Sequence, residues 1–137
     1  SPDGLRLYFT SDRGVGASID IYVATRTSPT AAFGTPGAIT ELDSPQNERD
    51  MTLSHDELEI FIASDRSGDF EIYRSSRPDL TTPFSPPLPV AELDTANDEL
   101  GPTLSADGAT VYFNYNTNSQ GGANSELFFA TRPCLAR

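Results

Sequence analysis

Apolar and polar residues alternate with a period of two along most of this chain. In residues 5–9 (LRLYF) Leu5, Leu7 and Phe9 share one face, and in residues 58–62 (LEIFI) Leu58, Ile60 and Ile62 do the same. That period is the pleat of a strand, not the 3.6-residue turn of a helix. A second strand follows, at residues 20–26 (DIYVATR), 71–77 (EIYRSSR) and 126–132 (ELFFATR). Proline-rich linkers, each with one aromatic residue, Phe33 or Phe84, lead to a third strand expected around residues 38–42 and 89–93. A short fourth strand is expected around residues 50–53 and 101–104. No segment carries a helical period long enough to matter.

The strands recur because the chain repeats itself. An offset of 51 residues carries Arg26 onto Arg77, Phe33 onto Phe84, Glu41-Leu42-Asp43 onto Glu92-Leu93-Asp94, Glu48 onto Glu99, and Asp56 onto Asp107. Self-similarity at a fixed period marks a repeat architecture. Each copy opens on a Ser-x-Asp turn: Ser1, Asp3 and Gly4, then Ser54, Asp56 and Glu57, then Ser105, Asp107 and Gly108. Asp-Gly between strands is a hairpin signal, since the tight turn needs a positive φ that glycine supplies, and Asp3 and Asp107 can accept from nearby amides. The middle copy puts Glu57 in the glycine slot, so either Glu57 accepts strain or that turn takes another form. Register fails in one place only. The loop after the aromatic strand takes 9 steps from Ser11 to Asp20, 7 from Ser64 to Glu71, and 11 from Tyr115 to Glu126.

Four antiparallel strands per copy, the Ser-x-Asp-Gly turn, LYFTSDR at residues 7–13 and a Tyr-centred strand together resemble the WD40-like, TolB-type β-propeller repeat, the PD40 repeat, over nearly the whole chain. The resemblance implies an all-β partial propeller of about three blades of 51 residues each, counted by the offset from Glu48 to Glu99. Residues 1–47 would be a blade without its inner strand, residues 48–98 a complete blade with its linker, and residues 99–137 a blade without its outer strand plus a tail. Propellers close into rings of 4 to 8 blades. The expectation is therefore a piece of a longer protein, or a chain that associates with its own copies to complete a ring.

Composition narrows the partners. Twenty acidic residues against nine basic ones give a net charge of −11, which repels nucleic acid and anionic membrane and favours a cationic or neutral partner. All nine bases are Arg, to which no function is assigned. No apolar run approaches the ~20 residues of a membrane helix. Cys134 is the only cysteine, which rules out an internal disulfide and a cysteine-built zinc site. His55 is the only histidine and occupies the variable slot of the middle turn, where a turn role is expected rather than general-base chemistry. No nucleophile elbow, phosphate loop or H-E-x-x-H motif is present. The turn is not the sialidase Asp-box, in which glycine stands two residues after the aspartate and a Trp follows. Residues 43–50 (DSPQNERD) and 94–100 (DTANDEL) are rich in oxygen ligands but lack EF-hand spacing, so no cofactor is expected, with calcium the open alternative.

In a propeller the variable loops and the inter-blade linkers share one face, and recognition evolves on such loops. The candidate partner-binding residues are Asp12, Arg13, Glu48, Arg49, Asp65, Arg66, Asp69, Asp98, Glu99, Asn116 and Asn118. Within the repeated Ser-Asp-Arg, an Asp-Arg pair is expected to brace the loop against the next blade. Arg26, Arg77 and Arg132 end the second strand of each copy as rim charges. The expected function is a non-catalytic scaffold for a protein or small polar ligand. The resemblance implies a periplasmic, extracellular or envelope setting, as for TolB, which contacts a peptidoglycan-associated lipoprotein. The alternative it implies is a propeller segment of a larger enzyme, a prolyl-oligopeptidase-type peptidase or a glycan hydrolase, with catalytic residues elsewhere.

Overall fold

The structure is a computed structural model that describes residues 1–14, 18–116 and 125–131. These form ten strands and no helix: β1 (Arg6–Ser11), β2 (Asp20–Thr25), β3 (Gly37–Ala38), β4 (Glu48–Leu53), β5 (Glu59–Ser64), β6 (Glu71–Ser76), β7 (Leu88–Pro89), β8 (Asp98–Leu104), β9 (Thr110–Asn116) and β10 (Ser125–Thr131). They pair antiparallel in three sheets, β1-β2-β3, β4-β5-β6-β7 and β8-β9-β10. Neighbours in sequence are neighbours in space, as short connections favour. Cys134 and Arg132 lie outside the described residues.

The middle sheet is the centre of the packing because every residue of β5 is buried. Ile60 and Ile62 point toward the first sheet, joining Ile21, Leu42, Tyr73 and Phe84 in one core. Phe61 and Ala63 point toward the third sheet, joining Ile72, Leu93, Val111 and Phe113 in the other. Two cores on the two sides of one pleat explain why 60–63 reads as an unbroken apolar run.

Two boundaries differ from those the sequence predicts. The expected outer strands at 38–42 and 89–93 shrink to two-residue ladders, β3 and β7, and the chain then turns, with Leu42 N–H bonded to Ile39 C=O (2.9 Å) and Leu93 N–H to Val90 C=O (2.8 Å). The turn drops Leu42 and Leu93 into the two cores, and that burial is what ends the ladder. The inner strands start earlier than expected, at Glu48 and Asp98, and run through bulges at Asp50 (φ 34°) and Gly101 (φ 62°).

The three Ser-x-Asp turns are built alike. The serine Oγ donates to the aspartate Oδ1 at 2.6 Å in every copy. The same serine Oγ accepts the N–H of Arg6 (2.8 Å), Glu59 (3.0 Å) or Thr110 (2.9 Å). Asp3 and Asp107 hold their carboxyls below the usual carboxylate range through the serine hydroxyl first and the amides of Leu5 and Ala109 next. Glu57 takes the glycine conformation, φ 59° against 68° at Gly4 and 67° at Gly108, so the middle turn keeps its form and carries the strain.

Its side chain offsets that strain. Glu57 is 4% exposed and accepts from Arg6 Nε (2.7 Å), Arg6 Nη2 (2.9 Å) and the Tyr8 hydroxyl (2.8 Å), tying the first sheet to the second. The Arg6 hydrogen bonds are the main cause of a Glu57 pKa below its ordinary 4.5. A depressed carboxylate pKa contributes stability that is complete above the unfolded value and lost as pH falls through the folded one. Glu57→Gln is therefore expected to lower the melting temperature at pH 7, with the gap from the parent closing in melts taken progressively below about pH 4.5. A gap that persists unchanged into strong acid would show that the ion pair is not its source.

Candidate functional site

Antiparallel register sorts the connections to two ends of the molecule. The Ser-x-Asp turns and the Pro-rich linkers lie at one end. The loops after β1 and β5, and the segments that lead into β4 and β8, lie at the other. This second end gathers Asp12, Asp20, Glu41, Asp43, Glu48, Asp65, Asp69, Glu71, Glu92, Asp94, Asp98, Glu99 and Glu126, relieved among the described residues by Arg13, Arg49 and Arg66. Thirteen of the twenty acidic residues thus share one end, so the charge of the chain is directional.

Each loop is stitched to the segment that opens the next sheet. Glu48 N–H donates to Ile19 C=O (2.7 Å) and Ile19 N–H to Asn47 Oδ1 (3.2 Å). One repeat later, Glu99 N–H donates to Phe70 C=O (2.7 Å) and Phe70 N–H to Asp98 Oδ1 (3.1 Å). Asp98, a predicted partner residue, is thereby engaged in holding a loop amide.

Asp65 and Arg66 do not pair with each other as the sequence suggests, and both reach backward rather than to the following sheet. Asp65 accepts from Asn47 N–H (2.7 Å) and Asn47 Nδ2 (3.0 Å). Arg66 donates to Leu42 C=O (2.8 Å) and Glu48 Oε1 (3.0 Å), with its guanidinium 4.7 Å from the Tyr73 ring centroid. In the first sheet Arg13 stacks on Phe9 (4.8 Å) and Tyr22 (5.3 Å) instead, exposed, with Asp12 exposed beside it. Arg49 lies 5.1 Å from the Phe70 ring. Asn116 ends β9, and Asn118 lies outside the described residues. At the opposite end Arg26 and Arg77 are more than rim charges. They bond the turn carbonyls of Gly4 (2.6 Å) and Glu57 (2.9 Å) and stack on the linker aromatics Phe33 and Phe84.

Two predicted residues lie inside the molecule: Glu48 and Glu99 are both 0% exposed. Each belongs to a register-related trio, Asp20/Asp43/Glu48 and Glu71/Asp94/Glu99, in which carboxylate oxygens lie within 4.8 Å of one another. The trios are neutralised differently. Glu48 accepts from Ser44 N–H, Ser44 Oγ, Ser64 Oγ and Arg66. Glu99 accepts from Thr95 Oγ1, while its Oε2 and that of Glu71 are buried without a hydrogen-bond partner; in the first trio the one such atom is Asp43 Oδ1. Burial and the neighbouring Glu99 raise the Glu71 pKa to about 8, and burial with Asp20 and Glu48 nearby raises Asp43 to about 6. Sequence reasoning placed Asp43 with Glu48 and Asp94 with Glu99 in oxygen-rich segments but did not see Asp20 or Glu71 join them. The signal was available: all three members recur at the offset of 51 residues, from Asp20 to Glu71, Asp43 to Asp94 and Glu48 to Glu99.

Compared with known proteins, the chain matches no family model and no curated protein.

Asp65→Ala removes a charged acceptor of two hydrogen bonds and is expected to cost about 1–3 kcal/mol. Asp69→Ala, at an exposed position, should stay within about 0.5 kcal/mol, and urea melts of the two variants give the comparison. Equal losses would detach Asp65 from the Asn47 segment. A second expectation follows from Glu71. A carboxyl whose folded pKa stands above its unfolded 4.5 binds a proton on folding, so in chelator-treated buffer stability should fall as pH rises from 4.5 toward about 8. Glu71→Gln should flatten that slope in melts recorded across the window.

Proposed function

We propose that this chain is a segment of a WD40-like, TolB-type β-propeller and works as a non-catalytic binding scaffold in an exported or envelope protein. Its three sheets would be successive blades, the first without its inner strand and the third without its outer one. The reading rests above all on one observation: the acidic charge is concentrated on loops at one end of a rigid, repeated framework, which is how a recognition face is made. The ligand that suits it is a cationic protein segment or a small polar molecule carrying positive charge. His55 stands exposed in a turn at the opposite end, away from these carboxylates, which supports a binding rather than a hydrolytic role. Leu127 and Phe129 on β10 are 71% and 66% exposed, surface that a following blade or a second copy would cover.

The test uses a fluorescent lysine-rich peptide, titrated with the chain in buffer containing chelator, against a glutamate-rich peptide of the same length. Binding of the lysine peptide alone is expected, weakening as salt rises. The Asp12→Asn/Asp69→Asn double variant should weaken it at least threefold, and Asp79→Asn, at the other end, should not. Equal loss from both variants, or no capture of the cationic peptide, would sink the recognition face.

A further inference from the structure

The second carboxylate trio poses at its glutamates a problem that the first has solved at Glu48, where Asp43 Oδ1 alone stays buried without a hydrogen-bond partner. Glu71 and Glu99 face one another across the junction of the second and third sheets, each with a buried oxygen that no donor reaches. Burying an ionised carboxylate without a partner is costly. In the first trio the Arg66 guanidinium and three serine donors meet that cost at Glu48. One repeat on, Ser64 is replaced by Tyr115 and Arg66 by Thr117, while all three acids are kept. None of the ion pairs among the described residues involves Glu71, Asp94 or Glu99.

We propose that Glu71, Asp94 and Glu99 form a binding site for one calcium ion. Calcium takes oxygen ligands at 2.3–2.6 Å, so two oxygens sharing one ion stand at most about 5 Å apart. The trio already holds its oxygens within 4.8 Å. Glu99, 0% exposed, supplies an unpartnered oxygen from the floor of the site, and Asp94, exposed at its rim, leaves a way in from solvent. A proton shared by the two glutamates satisfies one oxygen pair but leaves Asp94 facing them with its charge. A divalent cation engages all three. Calcium suits the arrangement better than magnesium, which requires a near-ideal octahedron at 2.0–2.1 Å and gives up its water reluctantly. The ion would do at the second junction what Arg66 does at the first, where the guanidinium neutralises Glu48 and holds the Leu42 carbonyl of the preceding linker, whatever the acidic end recognises.

The experiment is isothermal titration of the whole chain, stripped of metal, with calcium chloride, paired with thermal melts in calcium, magnesium or chelator. One ion per chain is expected, with a rise in melting temperature that magnesium does not match. Glu99→Gln should weaken binding at least tenfold. Asp94→Asn, exposed and outside the cores, gives the same readout should the buried substitution prevent folding. Asp20→Asn, in the trio that Arg66 neutralises, should leave affinity and stoichiometry unchanged. Absence of binding to the parent chain would overturn the proposal in favour of a shared proton. Binding that survives both Glu99→Gln and Asp94→Asn, or that Asp20→Asn weakens equally, would overturn it in favour of diffuse attraction to the acidic loops.

Discussion

The structure depends on β5 being buried on both sides. An isolated hairpin or small sheet is marginal in water because one face has nothing to cover it. Here Ile60 and Ile62 fill the core toward the first sheet while Phe61 and Ala63 fill the core toward the third, so the middle sheet supplies the cover for both neighbours. The linkers serve the same end: Leu42 and Phe84 enter the first core, and Leu93 enters the second. Each linker thus seals a core before it starts the next strand, and the position of each sheet is set by its predecessor. The outer sheets have only one such neighbour, which is why the apolar residues of β10 stay exposed.

That stacking turns local polar chemistry into contacts between sheets. Glu57 occupies a conformation that suits glycine, and in exchange its carboxylate reaches Arg6 and Tyr8 of the first sheet. Gly108, at the matching place in the third sheet, has no side chain to reach back. The first junction is therefore held by the Arg6–Glu57 ion pair at one end and, at the other, by Arg66, which pairs with Glu48 inside the second sheet while donating to Leu42 C=O of the preceding linker. At the second junction no ion pair joins the sheets among the described residues.

The strands, their order and the turns were legible in the sequence because each is written locally, in a period of two or in four adjacent residues. Reading three copies side by side made this firmer than any one copy could. Less legible was anything that depended on both faces of a strand. Leu42 and Leu93 look like the ends of outer strands, since a leucine buried from a turn and one buried from a strand have the same sequence neighbours. Glu48 and Glu99 look like surface ligands because they follow polar linkers. Their burial comes from side chains on other elements, Ser64 and Arg66 for Glu48, which proximity in sequence does not reveal. Asp65 and Arg66 look like partners because they are adjacent, yet in the turn after β5 Asp65 is taken up by Asn47 and Arg66 by Leu42 C=O and Glu48.

The repeat nonetheless encodes these contacts in its differences. Where a buried acid keeps its place between copies while its serine and arginine partners change, the charge must be met in another way, since an unpaired carboxylate has no cheap place in a core. Glu48 and Glu99 are the same residue at the same register with the same exposure, and they differ only in what surrounds them. A repeat protein that varies the neutralising group while holding the acid fixed can make one junction permanent, closed by a covalently attached guanidinium, and make the next conditional on what the solvent supplies. The difference between the two trios therefore bears on how the sheets are joined as well as on what they bind.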